Sequence, residues 1–243
     1  MKSNHILGLI TARGGSKGVY NKNIKLLAGK PLLAYTVEEA LKSQKLTRVV
    51  LSSEDKEIIK VAQNYDIEVP YLRPKKLAED ETPSLLVVKD LVKYLIIKEN
   101  YEPDIIVLLQ PTSPLRKSNH IDEAISLFEK NNADSLVSVV EIPHNYSPYS
   151  AMQLRDGYLK PFLDYDEENN LRQKKPTFFA RNGAAIYIFT LNCLMEKNSL
   201  YGDKILPYLM DQKFSIDIDT EWDFEIAEKI IKGMSDENTV PTH

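Results

Sequence analysis

The sequence predicts an α/β fold, a mostly parallel sheet flanked by helices, with one arm protruding from it. Three observations lead there. Short apolar, β-branched runs alternate with segments of helical period along most of the chain. One run, Asp104–Leu109, is continuously apolar after its first residue, as a central parallel strand buried on both faces requires. The rhythm breaks once, after Pro143, and resumes near Ala184.

Taken in order, Ile6–Thr11 reads as the first strand. Pro31 then opens a helix with Leu33, Val37, Ala40 and Leu41 on its apolar face, proline being favoured at the first helical position. Arg48–Leu51 is a second strand. Ser53 or Glu54 starts a helix through about Tyr65 that uses Ile58, Ile59 and Ala62. Ile67–Tyr71 is a third strand and Ser84–Lys98 a strongly apolar helix. After the strand Asp104–Leu109, Ser118 caps a helix to about Lys130, with Ile121, Ala124, Ile125 and Phe128 on one side. Ser135–Val140 is the next strand. A structureless loop over 144–181 is improbable at that length, so a hairpin arm is expected there. Ala184–Phe189 and Ile216–Asp219 read as strands, and a helix runs from Thr220 to about Lys232 with Phe224, Ala227, Ile230 and Ile231. Residues 1–143 and 182–234 therefore form one α/β domain, 144–181 an arm and 235–243 a frayed polar tail.

Composition removes several function classes. The 243 residues hold 31 Lys+Arg against 35 Asp+Glu, a net charge of −4 that argues against a nucleic-acid partner bound through bulk charge. A single cysteine, Cys193, excludes an intramolecular disulfide and a Cys-rich zinc site. The apolar stretch Ile6–Ile10 is too short for a signal peptide, and nothing approaches the ~20 apolar residues of a membrane span. A cytoplasmic protein with no membrane partner is expected.

Glycine is scarce, yet three of the nine glycines fall between Gly14 and Gly18. The first strand runs into Thr11-Ala12-Arg13-Gly14-Gly15-Ser16-Lys17-Gly18, followed by Lys22-Asn23. In a sheet of this kind the ligand crevice lies at the carboxyl ends of the strands. A glycine-rich first loop lets backbone N–H groups approach phosphate, and Arg13, Lys17 and Lys22 supply the positive sign. The spacing is neither the dinucleotide pattern G-x-G-x-x-G nor the P-loop pattern G-x-x-x-x-G-K-[ST]. At the far end of the chain, Asp217 and Asp219 alternate with Ile216 and Ile218, so an extended backbone points both carboxylates to one face. Two adjacent carboxylates repel unless a cation joins them, and Mg²⁺ is commonly held by one or two carboxylates plus substrate phosphate. Gln110 and Thr112 follow the buried strand and are stiffened by Pro111 and Pro114, while Arg73-Pro74 follows the third strand. Both segments end at the crevice.

These stretches, together with Leu77-Ala78, Asp80, Gln110-Pro111-Thr112-Ser113-Pro114-Leu115-Arg116 and Asn182-Gly183-Ala184, resemble the CMP-N-acylneuraminate synthetases (acylneuraminate cytidylyltransferases) along nearly the whole chain. The resemblance implies a Rossmann-like fold of the nucleotide-diphospho-sugar transferase type, a homodimer formed through the arm, and transfer of CMP from CTP to a nine-carbon 2-keto sugar acid with release of pyrophosphate. It implies that Arg13 and Lys22 hold the triphosphate, with Gly14, Gly15, Ser16 and Lys17 beside them. Asn23, Arg73 and Ser84 would contact the cytidine, and Gln110 and Thr112 the sugar. Arg172, ten residues before Asn182, would pair with the sugar carboxylate, and a guanidinium fits a carboxylate as a fork. Asp217 and Asp219 would hold Mg²⁺. Tyr187 is a further implied sugar contact, although Asn182-Gly183-Ala184-Ala185-Ile186-Tyr187 is one residue longer than the segment in many members. N-acetylneuraminate, legionaminate and pseudaminate all fit as substrates. The alternatives are a 3-deoxy-manno-octulosonate cytidylyltransferase, an NAD-dependent oxidoreductase, disfavoured by the missing dinucleotide pattern, and a nucleotide-binding module without turnover. No histidine stands out as a general base.

Overall fold

The computed structural model describes residues 5–163 and 176–237. The elements are, in order, β1 (Ile6–Thr11), the short ladder β2 (Leu26–Leu27) and β3 (Lys30–Pro31), α1 (Leu32–Lys42), β4 (Arg48–Ser52), α2 (Lys56–Gln63), α3 (Ser84–Glu99) and β5 (Ile105–Leu109). They continue with α4 (Ser118–Glu129), β6 (Ser135–Glu141), β7 (Met152–Arg155), β8 (Tyr158–Pro161), β9 (Phe179–Arg181), β10 (Tyr187–Thr190), α5 (Leu191–Met195), β11 (Ile205–Leu209) and α6 (Glu221–Glu237).

The main sheet has the order β11-β6-β10-β5-β1-β4, with β9 paired to β6. β1 lies between β4 and β5, parallel to both. β10 runs antiparallel between β5 and β6, and β11 is parallel to β6. The expected mostly parallel sheet is present, with β9 and β10 reversed.

Alternation along β1 and β5 explains why both strands are central. Ile6 and Ile10 of β1, with Ile105, Val107 and Leu109 of β5, pack on one face with Leu33, Val37 and Ala40 of α1 and Ile121, Ala124 and Ile125 of α4. Leu7 and Leu9, with Ile106 and Leu108, pack on the other face with Val88, Leu91, Val92 and Leu95 of α3. A third cluster joins Val19, Leu27, Leu32 and Ile218 to Phe224 and Ala227 of α6.

Several boundaries differ from the sequence expectations. Helix α1 starts one residue after Pro31, and Leu41 lies outside its buried face at 46% exposure. Helix α2 starts only at Lys56, because the Asp55 side chain caps it by accepting from the N–H groups of Glu57 and Ile58. Ser118 is the first residue of α4 rather than its cap. Residues 67–71 form no strand. They run beside β4 through isolated bridges, Val50 to Glu68 and Ser53 to Leu72, and Pro70 lacks the N–H a ladder would need. The expected strand at Ala184–Phe189 begins at Tyr187. Residues 216–219 are extended but lie outside the sheet, and the strand missed by periodicity is β11, whose Pro207 sits at the sheet edge.

The excursion contains a hairpin of β7 and β8, turned by Asp156 and Gly157, both at positive φ, as a two-residue turn of this kind requires. Its end returns to the sheet as β9. The acidic cluster Asp164–Glu168 and Arg172, Lys174 and Lys175 lie outside the described residues, as does 238–243. Helix α6 continues to Glu237, past residue 235 where a frayed tail is expected, and the rest of that tail lies outside the described residues. No helix among the described residues is long and apolar enough to cross a membrane.

Phe189 of β10 is fully buried between the sheet and α5. Phe189→Ala is expected to lower stability by about 3–5 kcal/mol. In a chain of this size that shifts the melting temperature by roughly 6–20 °C, which thermal unfolding followed by circular dichroism would measure.

Candidate active site

The carboxyl ends of β1 and β5 open into a cavity of about 470 Å³. Thr11 ends β1 at its floor, and Gln110, Pro111 and Thr112 leave β5 beside it. Arg13, Ser16, Lys17, Gly18, Lys22 and Asn23 form one wall. Arg73, Leu77, Glu79, Asp80 and Thr82 form another, with Ser84 and Val87 from the first turn of α3. Asp217 and Asp219 close the rim.

Positive charge at the site is already paired. Asp80 bridges Arg13, at 2.6 Å, and Lys17, and these two cations hold its carboxyl below the usual range. Lys22 donates from Nζ to the Ile218 carbonyl at 2.6 Å and to Asp219 Oδ1 at 3.3 Å. Asn23 is buried and donates to the Arg13 carbonyl, which pins the loop to itself. Arg73 is buried against Glu54 and the Ala12 carbonyl.

Asp217 and Asp219 do face the same side. Ile218 between them points into the third apolar cluster, and its N–H donates to the Thr112 carbonyl at 2.9 Å. Burial pushes the Asp217 carboxyl up and the neighbouring Asp219 adds to this, while the nearby Thr112 hydroxyl and Lys22 oppose it. Its Oδ1 and the Thr112 hydroxyl are both buried and close, but neither makes a well-formed hydrogen bond among the described residues. A buried, orphaned carboxylate oxygen at a cavity rim is the environment a cation relieves. No group of three or more His, Cys, Asp or Glu residues that could hold a metal occurs among the described residues. As donors, two carboxylates at the cavity, one with a buried oxygen lacking a well-formed hydrogen bond, suit Mg²⁺, which takes few protein ligands and completes its shell with phosphate and water.

Two glycines let these parts touch. A Cβ on Gly18 would stand 2.0 Å from the Asp219 carbonyl oxygen. Gly183, at φ +67°, lies under the Asp217 carboxylate, and a Cβ there would meet it at 2.5–2.7 Å. The glycine cluster is thus only partly explained by phosphate. Gly14 and Gly15 do not line the cavity but face a neighbouring hollow beside Glu54 and Asp55, and the Gly14 N–H is already donated to Glu54.

Arg116, the last residue of the Gln110–Arg116 segment, is fully buried and has no carboxylate partner among the described residues. It donates from Nη1 to the carbonyls of Gln110 and Ala185 and from Nη2 to Thr36 Oγ1, at 2.6–3.2 Å. Burial pulls its pKa down, to about 9. It thereby joins the two loops that carry Gln110 and Gly183. Periodicity could not mark it, since its stem is covered like an apolar residue.

Most residues expected at the site are brought together. Tyr187 is the correction: its side chain packs inside the sheet's second apolar face, its ring edge-on to Tyr201, and does not line the cavity. The chain turns at 183–184 before entering β10 at Tyr187. Arg172 lies outside the described residues. Sequence reasoning gave no site role to Glu79, Thr82 or Val87, which reach the cavity only through the path of the chain before and into α3.

Gly18→Ala is expected to destabilise the chain by about 1–3 kcal/mol, since backbone must move. Gly233→Ala in α6, where a Cβ meets nothing, is expected to stabilise by about 0.5–1 kcal/mol. Urea unfolding of both variants would check the pair.

Comparison with known proteins gives the family. A family model described as Cytidylyltransferase matches residues 7–239. The chain is 36% identical over 228 residues to the CMP-N,N'-diacetyllegionaminic acid synthase of Legionella pneumophila, covering 93% of this chain and 96% of that protein. It is 36% identical over 225 residues to the N-acylneuraminate cytidylyltransferase of Escherichia coli, covering 91% of this chain and spanning about half, 51%, of that longer protein. Among solved structures, CMP:2-keto-3-deoxy-manno-octonic acid synthetase complexed with CTP superposes with a TM-score of 0.71 over 94% of this chain and 99% of that one, at 15% identity, a likeness of fold. With a family model spanning nearly its whole length and relatives above 30% identity, the chain belongs to the cytidylyltransferase family.

Proposed function

We propose that this chain transfers CMP from CTP to the anomeric hydroxyl of a nine-carbon 2-keto sugar acid, releasing pyrophosphate. One observation carries the reading. A single cavity at the carboxyl edge of the sheet combines the cations Arg13, Lys17 and Lys22 with the aspartate pair 217 and 219. Relatives named for legionaminic acid and N-acylneuraminate match over most of the chain, which supports this class of sugar.

The hydroxyl attacks the α-phosphorus in line, and the leaving pyrophosphate carries the displaced charge. Such transfer needs positioning and charge neutralisation more than covalent help from protein groups. Arg13 and Lys17 neutralise the phosphates once Asp80 releases them, and Lys22 does so while holding the 218–219 backbone. Each favourable pair is worth about 4 kcal/mol at 4 Å in a medium of effective dielectric ~20, against about 1 in water, so exclusion of water matters. Asn23, Arg73 and Ser84 serve the cytidine, with Ser16 near the phosphates, and Gln110 and Thr112 serve the sugar. Arg172 of the arm meets the sugar carboxylate. Asp217 and Asp219 would hold Mg²⁺, which when bound offsets phosphate charge that the lysines leave uncompensated.

Residues 1–143 and 182–234 act as the transferase unit of a cytoplasmic enzyme, and 144–181 as an arm seated on a second copy of the chain. Support for the arm comes from its exposed apolar side chains, Met152, Leu154, Leu159 and Phe162. Such a row on one hairpin is more than a monomer ordinarily leaves in water.

Pyrophosphate release from CTP with N-acetylneuraminate, legionaminate, pseudaminate and 3-deoxy-manno-octulosonate would test the reaction. Turnover with one of the nine-carbon acids is expected, and turnover with the eight-carbon acid alone would refute the proposed substrate class. Asp219→Asn is expected to lower kcat by about 100-fold or more with the fold intact, as loss of one preorganised charge in a transfer site does. Light scattering is expected to give twice the chain mass, and Leu154→Asp with Leu159→Asp to reduce it to one.

A further inference from the structure

One buried carboxylate behind the wall of the cavity, in the neighbouring hollow that Gly14 and Gly15 face, takes no part in the roles above. Glu54 sits between the end of β4 and Asp55, the cap of α2. Its side chain is 12% exposed and that of Arg73 only 3%. Oε2 accepts from Arg73 Nε at 3.2 Å and also from Nη2. Oε1 accepts from the Gly14 N–H at 2.8 Å. Nη2 of Arg73 donates as well to the Ala12 carbonyl at 3.0 Å. One carboxylate thus touches the glycine loop after β1 and the arginine from the segment beside β4.

We infer that Glu54 is a positioning residue for nucleotide binding, setting the orientation of Arg73 relative to the glycine loop. The inference rests on the proposed function, in which Arg73 serves the cytidine. A guanidinium is planar. When Nε and Nη2 are both held, the direction of Nη1 follows, and Nη1 makes no hydrogen bond among the described residues. That leaves it for a ligand in the cavity that Arg73 lines. Stability alone is a weak reason for such a pair, because buried ion pairs often do no better than apolar residues of the same volume. The same contact takes the Gly14 N–H out of any phosphate cradle and makes that loop a fixed wall.

The chemistry makes Glu54→Gln a sharp probe. Both oxygens of Glu54 face donors, and an amide has one oxygen. Whichever way the glutamine turns, its NH₂ meets either Arg73 or the Gly14 N–H. Calorimetric titration with CTP, and steady-state kinetics of pyrophosphate release, would compare wild type with Glu54→Gln. The expected result is a Kd and KM for CTP raised about 10- to 100-fold, the effect of losing one hydrogen bond to a charged group. Both kcat at saturating CTP and the KM for the sugar acid are expected within about threefold of wild type. In an Arg73→Met background, Glu54→Gln is expected to have a smaller effect on CTP than in wild type, since the two act as a unit. Glu54→Asp, which keeps the charge but shortens the reach, carries the same test if the glutamine variant fails to fold.

Wild-type CTP affinity in the folded variants, equal losses in the CTP and sugar parameters, or full additivity with Arg73→Met would each overturn the inference. Should wild type bind another nucleoside triphosphate in place of CTP, the proposed function falls, and the same comparison made with that nucleotide decides the role of Glu54. Wild type that binds no nucleoside triphosphate overturns both.

Discussion

Everything at this site depends on a contact between the two ends of the chain. The loop after β1 presses against residues 218–219: Gly18 lies so close to the Asp219 carbonyl that no side chain fits, and Lys22 Nζ donates to the Ile218 carbonyl. These residues are about 200 positions apart, so nothing local holds them. The apolar cluster beneath does so, where Val19 of the loop and Ile218 of the aspartate segment pack with Leu32 of α1 and Phe224 of α6. The burial of Ile218 turns its neighbours Asp217 and Asp219 towards the cavity. Packing on one side of an extended segment thus determines the electrostatics on the other.

The charges at the site also follow one pattern. Arg13 and Lys17 rest on Asp80, Lys22 on Asp219, and Arg73 on Glu54. The first two pairs are substantially exposed, so each contributes little stability and is readily exchanged for a better anion. The Arg73–Glu54 pair is buried and is not exchanged at low cost. The cavity therefore has a half whose pairs are readily exchanged and a half that is fixed; under the proposed function, phosphates compete with Asp80 in the first and the second frames the base. A triphosphate gains less from Arg13 and Lys17 than their bare charges suggest, because it displaces a carboxylate that already uses them.

Much of this was legible in the sequence. Strands buried on both faces announce themselves as unbroken apolar runs, and β1 and β5 did so. The loop cations and the aspartate pair could be read because charge type and period two survive without knowledge of the fold. Edges could not be read. β11 carries Pro207 and alternates weakly, as an edge strand can, while residues 67–71 look like a strand but hold only isolated bridges. Tyr187 shows the opposite limit. Its place in a motif suggested a ligand contact, but the pleat of β10 between β5 and β6 turns its side chain into the core. Glu54 was hidden because Asp55, one residue later, is the actual helix cap, which frees Glu54 to turn inward.

The two buried arginines differ in how their charge is met. Arg73 has a carboxylate against it, so its field beyond Glu54 is largely cancelled. Arg116 has no ion pair among the described residues, only hydrogen bonds to the carbonyls of Gln110 and Ala185 and to the Thr36 hydroxyl, with Glu39 acting on it from farther off. Dipoles meet its Nη donors, while its Nε is buried without a hydrogen-bond partner among the described residues; neither removes its net charge, and in a medium of low dielectric that charge acts over a longer distance than it would in water. One of those carbonyls belongs to Gln110, which itself lines the cavity. Arg116 thus adds positive potential beneath the segment that meets the incoming sugar acid, and under the proposed function that substrate brings a carboxylate towards an already anionic triphosphate. A covered cation under that segment lessens their repulsion without offering either anion a competing contact.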